Sequence, residues 1–247
     1  MPIIQKARRF IKLRVADWSR ILLCRTPSDL WLYKHRFLRT DANARFNDAA
    51  RRQFHIDRYR FAADYLQKLE NPRLVILDSA SGTGYGSDIL KSARPQQIIG
   101  VDISPEAVKY ATRKYSSEHC RFLTADVTNM SGLTDKTFDA VVSFETIEHI
   151  KEPLAFLKEV HRLLKENGTL IISTPNKWGP TRDHQFDYDY DLFCQHLNQY
   201  FRIESMHVQN SGCMDLWVNR NAPKRLVKAT PAIIEEAECF VAVCRKD

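Results

Sequence analysis

The stretch VILDSASGTGYGS, residues 75–87, joins a short apolar run to a turn that holds three glycines. The run ends at Asp78, and Gly82, Gly84 and Gly86 follow at the opening of a helical pattern. Glycines at such a place permit a tight turn and let a ligand approach the backbone at the N-terminus of the helix. The stretch therefore predicts a ligand-binding turn after a strand of an α/β sheet, although a glycine-rich turn alone is weak support.

Two further carboxylates repeat the position of Asp78 along the chain. Asp102 closes the next apolar run in GVDIS and Asp126 follows the third in LTAD, so that successive carboxylates are 24 residues apart. In a parallel sheet all three lie along the carboxyl edge, where ligands bind, and a carboxylate after the second strand suits a ribose diol. The turn has no Lys, Arg or GK[ST] motif, so we expect an adenosine ligand without phosphate. Each Asp alone is explained as well by a helix cap or a turn, but the three together favour a cofactor site.

Outward from the turn, short apolar strands alternate with longer helical patterns. The series is RLVILD, GSDILKSA, QIIGVD, PEAVKYATRKY, CRFLTAD, FDAVVSF, PLAFLKEVHRLLKEN and GTLIISTP, preceded by a helical stretch over residues 45–70. Near-continuous Val, Ile and Leu predict strands buried on both faces of a parallel sheet. RIESMHV and CFVAVCR follow, and we expect the latter to be an edge strand.

The predicted fold class is therefore α/β: a Rossmann-like, doubly wound, mostly parallel seven-stranded sheet with an N-terminal helical extension. We divide the chain into a basic amphipathic helical extension, residues 1–45, and a Rossmann-like domain, residues 46–247.

The net charge of +7 is concentrated in the N-terminal part of the chain. Residues 1–60 hold 15 Lys and Arg against 5 Asp, whereas the remainder is slightly acidic. On a helical wheel, residues 3–23 place Ile, Val, Phe and Trp on one side and Lys and Arg on the other. Such a helix can lie on an anionic membrane surface, or it can pack on its own domain or on a second subunit. A cleavable presequence is a further, weaker interpretation.

Cysteine spacing and hydropathy restrict the class of protein. The six cysteines show no CxxC pair and no zinc-like spacing, which favours reduced thiols in a cytoplasmic protein. No apolar run approaches the length of a membrane span. We therefore expect a cytoplasmic protein whose membrane contact, if any, is peripheral and involves residues 3–23.

The ordered set LDSASGTGYG, GVDIS, TAD, FDAVVSFETIEHI and LKENGTLIISTPN resembles class I S-adenosylmethionine-dependent methyltransferases of the small-molecule type, similar to methyltransferase types 11 and 12. The resemblance covers roughly residues 50–205 and implies S-adenosylmethionine as the cofactor. The cofactor-binding residues that it implies are Asp78, Ser79, Ala80, Gly82, Gly84, Gly86, Asp102, Ile103, Asp126, Val127 and Phe144.

Within this implied set, each part of the cofactor has its own residues. Asp78 and the glycine turn would hold the methionine moiety, Asp102 the ribose hydroxyls, and Asp126 with Val127 the adenine edge. Ala80 stands where many relatives have the first glycine, and we expect a negative φ there, at which Ala is unstrained.

SFETIEHI, residues 143–150, follows the fourth strand and faces the implied methyl donor. With the later DHQFD, its ExxEH resembles the metal-dependent methyltransferases of the 3′-terminal ribose of small RNAs, and ubiquinone-pathway O-methyltransferases carry a similar ExxEH. The resemblance implies that Glu145, Glu148, His149 and His184 hold Mg²⁺ or Mn²⁺, with His149, Glu145 and His184 as the catalytic residues. A cation there would lower the pKa of an acceptor hydroxyl.

Two alternatives to a metal site stay open for the same residues. His149 or His184 can act as a general base without metal. The polar residues can also have purely structural roles and orient the loop after the strand.

The resemblance predicts methyl transfer, most simply to oxygen of a small or lipid-linked acceptor. RNA ribose 2′-O-methylation is an alternative supported by the basic N-terminal part, although no RNA-binding module is recognisable. A protein that binds S-adenosylmethionine without transferring its methyl group, as a regulatory partner, is a second alternative. His55, Arg58 and Tyr59 precede the first strand and are candidate lid or acceptor contacts, or else members of an ordinary surface helix.

Overall fold

The computed structural model describes residues 49–69, 71–177, 184–210, 226–235 and 237–247. The predicted extension over residues 1–45, with its amphipathic segment 3–23, lies outside these residues. Among the described helices, none is both long enough and apolar enough to cross a membrane.

Helices and strands alternate through most of the described chain, as the apolar pattern predicts. Short 3₁₀ turns lie at Lys91–Ala93 and at Ile147–His149. The elements in chain order are α1 (Ala49–Gln67), β1 (Val75–Ser79), α2 (Tyr85–Leu90), β2 (Gln97–Asp102), α3 (Pro105–Tyr115), β3 (Cys120–Thr124), β4 (Phe138–Ser143), α4 (Pro153–Leu163), β5 (Leu164–Pro175), α5 (Tyr190–Leu197), β6 (Arg202–Asn210), β7 (Leu226–Lys228), α6 (Pro231–Ile234) and β8 (Ala237–Arg245).

The strands of the described residues form one eight-stranded sheet in the order β3-β2-β1-β4-β5-β8-β6-β7. The pairs from β3 to β5 are parallel, whereas β8 runs antiparallel to both β5 and β6. The predicted Rossmann-like, mostly parallel α/β fold is confirmed. The expected number of seven strands is one too low, because the short β7 pairs antiparallel to β6 at the border of the sheet.

The expectation that the last strand is an edge strand is wrong. Strand β8 lies between β5 and β6, and all of its residues except the last, Arg245, are buried. A strand with apolar neighbours on both faces and backbone partners on both sides belongs to the interior of a sheet. Its sequence AECFVAVCR fits that place because it carries few charges between its ends.

Helices cover both faces of the sheet, so successive residues of each central strand enter two different cores. In β1, Ile76 packs into the cluster beneath α1, α2 and α3, and its neighbour Leu77 packs into the cluster beneath α4 and α5. This alternation explains why the central strands read as continuous apolar runs rather than as apolar and polar residues in turn.

The register brings the ends of the central parallel strands together. Asp78 of β1 lies opposite Gly100 of β2 on one side and Val142 of β4 on the other. The loops after β1, β2 and β4 therefore meet at one carboxyl edge, where ligands of open α/β sheets bind.

Candidate active site

The turn after β1 is built from residues with left-handed backbone. Gly82 has φ +55° and Gly84 has φ +83°, conformations that glycine adopts without the strain of a side chain. A Cβ added to Gly82 would meet no atom of the described residues within 4 Å, so this side of the turn is open toward them. Ala80 has φ +60°, and the expected negative φ is therefore wrong: this Ala takes up the left-handed strain that a glycine would avoid.

Asp78 is fully buried at the end of β1 and accepts two side-chain hydrogen bonds. Tyr59 Oη donates to its Oδ1 at 3.1 Å and Ser87 Oγ donates to its Oδ2 at 2.5 Å. Burial raises the pKa of Asp78 to about 6, although both hydrogen bonds favour the ionised form. A cation placed beside this carboxylate would therefore offset an unfavourable buried charge.

Asp102 connects the end of β2 to the glycine turn. Its Oδ2 accepts the Gly82 backbone N–H and its Oδ1 accepts the Ser104 backbone N–H, both at 2.9 Å. The next residue, Ile103, is 63% exposed, an unusual degree for a large apolar side chain. Together they offer a carboxylate and an apolar surface side by side, as a ribose and an adenine ring require.

Asp126 and Val127 lie further along the same edge, after β3. The Asp126 carboxylate accepts from the backbone N–H and the hydroxyl of Thr128, which makes it a turn former in the cofactor-free protein. Val127 is buried, whereas Asp126 is exposed. Their roles at the adenine edge stay predictions.

The edge also contains buried polar atoms that lack a partner within the described residues. The hydroxyls of Ser79, Ser81 and Ser143 are buried without a hydrogen bond. Unpaired buried hydroxyls are costly, and a polar ligand in the turn would satisfy them. With the open side of Gly82 and the carboxylates of Asp78 and Asp102, they fit an amino-acid moiety joined to a nucleoside, as in S-adenosylmethionine.

Glu145, the first carboxylate of ExxEH, bonds to Arg58 and Ser173 rather than to the other predicted metal ligands. Its Oε1 accepts from Arg58 Nη1 at 2.5 Å and from Ser173 Oγ at 3.1 Å. Its backbone has φ +52°, and its N–H donates to the same Ser173 hydroxyl. The side chain of Arg58, which sequence reasoning placed only loosely near the site, is fully buried beneath it.

The other three predicted metal ligands lie together. Each of Glu148, His149 and His184 offers one possible ligand atom, and these three atoms lie within 4.8 Å of one another. The ring centroids of the two imidazoles are 4.9 Å apart. The backbone carbonyl of Glu148 accepts the N–H groups of Gln185 and Phe186, which brings His184 to this position. Glu145 is not part of this cluster because it pairs with Arg58.

Glu148 is 2% exposed, and its Oε1 has no hydrogen-bond partner within the described residues. His149 Nε2 lies 3.8 Å from that oxygen, and Thr174 Oγ1 donates to the other oxygen at 3.4 Å. Burial, and then the charge of Glu145, hold the pKa of Glu148 well above its usual range. A cation or a hydrogen-bond donor between Glu148 and the two imidazoles would satisfy this orphan oxygen.

For several residues of the site, the local sequence pattern does not predict the contacts that they make. Ser173 and Cys239 come to Arg58 only because β5 and β8 are neighbours in the sheet. The sequence makes Tyr59 a candidate lid or acceptor contact. In the structure its hydroxyl donates to Asp78, at the predicted cofactor side of the site. The alternation of strands and helices predicts the carboxyl edge of the sheet. It does not predict which side chains from different elements meet at that edge.

Part of this chain is similar to known methyltransferases. Residues 77–172 match the family described as a methyltransferase domain. A protein of Mycobacterium tuberculosis named as a probable S-adenosylmethionine-dependent methyltransferase is 33% identical over 110 residues, which is 44% of this chain and 39% of that protein. The ubiquinone biosynthesis O-methyltransferase of Xanthomonas campestris is 32% identical over 108 residues, 43% of this chain and 45% of that enzyme. The chain thus matches less than half the length of these relatives.

Among solved structures, the fold is similar to a chain of the complex between the Haloferax volcanii Trm112 methyltransferase activator and a methyltransferase. The TM-score is 0.61 at 17% identity, with 78% of this chain and 91% of that chain covered. Residues 77–172 thus match a methyltransferase domain, and the described residues share the Rossmann-like fold of solved structures. The resemblance to methyltransferases is supported over this segment, whereas the metal-dependent likeness of ExxEH stays a prediction.

Proposed function

We propose that the protein is an S-adenosylmethionine-dependent methyltransferase that methylates an oxygen of a small or lipid-linked acceptor. The observation that carries the proposal is the junction at the carboxyl edge of the sheet. The cradle formed by Asp78, Gly82 and Asp102 lies at the ends of β1 and β2, and two residues of the polar cluster of Glu148, His149 and His184 lie in the loop after β4, the strand that pairs with β1.

The cradle residues account for cofactor binding. Asp78 would pair with the ammonium of the methionine moiety, since its buried carboxylate lacks a cation partner among the hydrogen bonds described above. Asp102 would accept from the ribose hydroxyls and Ile103 would cover one face of the adenine. When bound, the cofactor supplies a methyl group on a sulfonium, and the protein must align that group with a nucleophilic oxygen.

The cluster after β4 accounts for deprotonation of the acceptor. Glu148, His149 and His184 would hold a divalent cation, and two imidazoles with one carboxylate leave positions open for acceptor oxygens. Imidazole ligands suit Mn²⁺ better than Mg²⁺. If no cation binds, His149, whose side chain is 34% exposed, is the residue able to accept the acceptor's proton.

Oxygen as the methylated atom follows from the cluster and from the likeness to a ubiquinone biosynthesis O-methyltransferase. Nucleic acid as the acceptor and a purely regulatory role gain no specific support from the described residues. A lipid-linked acceptor would agree with the peripheral membrane contact predicted for residues 3–23.

The test is transfer of labelled methyl groups from S-adenosylmethionine to separate acceptor classes. Catechols, glycosides, extracted lipids and RNA are each incubated with Mn²⁺, with Mg²⁺ or with EDTA. Transfer to a small or lipid-soluble hydroxyl compound supports the proposal. Transfer to RNA alone, or cofactor binding in calorimetry without transfer to any class, contradicts it.

A further inference from the structure

Arg58 of helix α1 is a fully buried cation with partners from three parts of the chain. Its Nη1 donates to Glu145 Oε1 at 2.5 Å and to Cys239 Sγ at 2.9 Å, and its Nη2 lies 2.7 Å from His55 Nδ1. The guanidinium carbon also lies 4.6 Å from the ring centroid of Phe54. A guanidinium can only donate, so neutral His55 accepts with Nδ1 and carries its proton on Nε2.

Glu145 is held from two sides in a conformation that it would not adopt alone. Ser173 Oγ accepts its backbone N–H and donates to its carboxylate, while Arg58 neutralises the same carboxylate. A non-glycine residue with φ +52° persists only where its surroundings enforce it. The bonds of Arg58 and Ser173 therefore fix the course of the chain just before Glu148 and His149.

Tyr59, the residue after Arg58 on α1, also bonds to a carboxylate, at the side of the site where we expect the cofactor. Tyr59 Oη donates to Asp78 at the end of β1, and the Tyr59 ring packs edge-on against Phe144 at 4.9 Å between centroids. Two successive residues of one helix thus bond to a carboxylate near the end of β1 and to a carboxylate just after the adjacent strand β4. Helix α1 therefore contacts the cradle at Asp78 and the segment after β4 at Glu145.

We propose that Arg58 is a positioning residue for methyl transfer: through Glu145 it sets the segment 145–150 at the correct distance from the cofactor that Asp78 would hold. This inference rests on the proposed function. Arg58 touches neither methyl donor nor acceptor in this role. Its effect is geometric, and misplacement of reacting groups by about 1 Å can slow a reaction on the order of a hundredfold.

The first measurement needs no acceptor. Hydrogen–deuterium exchange is followed in segment 145–150, with and without S-adenosylhomocysteine, for the wild type, Arg58→Met and Arg58→Lys. We expect the ligand to slow exchange in this segment in the wild type and not in Arg58→Met, although both bind it within about threefold by calorimetry. Arg58→Lys, which keeps the charge, should regain part of the slowing.

Arg60→Met is the matched control, because Arg60 lies on the same helix but its side chain is 62% exposed. It should behave as the wild type. Equal slowing of segment 145–150 in Arg58→Met would overturn the proposal. Failure of the wild type to bind S-adenosylhomocysteine would instead overturn the proposed function, so the two failures are distinguishable.

The second measurement uses the acceptor found by labelled transfer. Single-turnover rates should fall about thirtyfold to a hundredfold in Arg58→Met and in Glu145→Gln, with the double variant no slower than either. If Arg58→Met does not fold, Arg58→Lys and Glu145→Gln carry the test. Normal rates in these variants, with only a lowered melting temperature, would assign Arg58 a purely structural role.

Discussion

The ring of Tyr59 lies so close over Gly86 that a Cβ built on this glycine would fall 2.1 Å from Cζ of the ring. Gly86→Ala must therefore displace Tyr59 and break its bond to Asp78. We expect a lower melting temperature, by an overpacking cost of about 1–3 kcal/mol or more, and weaker S-adenosylhomocysteine binding in calorimetry.

Gly82→Ala provides the contrast, since within the described part of the chain its Cβ would meet nothing inside 4 Å and only its φ of +55° is unfavourable for Ala. Its cost to stability should stay near 1–2 kcal/mol, roughly the left-handed strain of one residue. Its cofactor affinity should nevertheless fall, because the added methyl group occupies the open side of the turn. Equal effects of both variants on melting would contradict the close contact.

Asp102→Ala should weaken cofactor binding by about thirtyfold or more, because it removes the ribose partner and releases the Gly82 amide at the same time. Calorimetric titration with S-adenosylhomocysteine measures the loss. Asp88→Ala is the control, since Asp88 is an exposed carboxylate on the neighbouring helix α2. An unchanged affinity of Asp102→Ala would remove Asp102 from the cofactor site.

The buried Asp78 gives the cofactor-free protein a definite pH dependence. Its pKa is raised from 3.8 to about 6, so the folded state favours the protonated carboxyl. The stabilising contribution of Asp78 is fully present below about pH 4 and is lost as the pH rises through about 6. Asp78→Asn should therefore stabilise the free protein near pH 7.5, by up to about 3 kcal/mol, and this gain should fade toward pH 4. Denaturant unfolding at several pH values checks it, and a gain independent of pH would refute the assignment to Asp78.

Local patterns predicted the parts of the molecule that depend on neighbouring residues in the sequence. The strand before Asp78, the glycine turn and the placement of Asp102 all follow from apolar runs closed by polar residues. The carboxyl edge follows in turn, because parallel strands bring equivalent ends together.

The features that local sequence patterns do not predict depend on contacts between residues far apart in the chain. Arg58 and Glu145 are 87 residues apart and meet only in the folded chain, and their bond holds Glu145 apart from the cluster of Glu148, His149 and His184. The place of β8 between β5 and β6 likewise depends on which open edge a buried strand finds. The positive φ of Ala80 is imposed by the turn against the preference of its residue type.

The cluster of Glu148, His149 and His184 should bind Mn²⁺ without help from Glu145. We expect Glu148→Gln and His184→Ala to weaken Mn²⁺ binding in calorimetry by about tenfold or more, and Glu145→Gln to leave it nearly unchanged. EDTA should abolish methyl transfer by the wild type. No Mn²⁺ binding together with full activity in EDTA would favour His149 as a metal-free base instead.

The basic N-terminal part of the chain makes a separate prediction. Deleting residues 1–24 should reduce association with anionic vesicles in a sedimentation assay, because it removes the basic and apolar sides of the amphipathic segment together. Cofactor affinity should remain within about threefold of the wild type. Equal vesicle binding by the two forms would favour packing of this segment on protein.

The position of β8 has a consequence for how the protein is made. Strands β5 and β6 are both synthesised before β8, the strand that separates them in the sheet. Until residues 237–245 have left the ribosome, β5 presents an apolar, unpaired border to the cell, and such borders invite pairing with other chains. The edge of β5 can therefore close only after the last strand of the sheet has been synthesised.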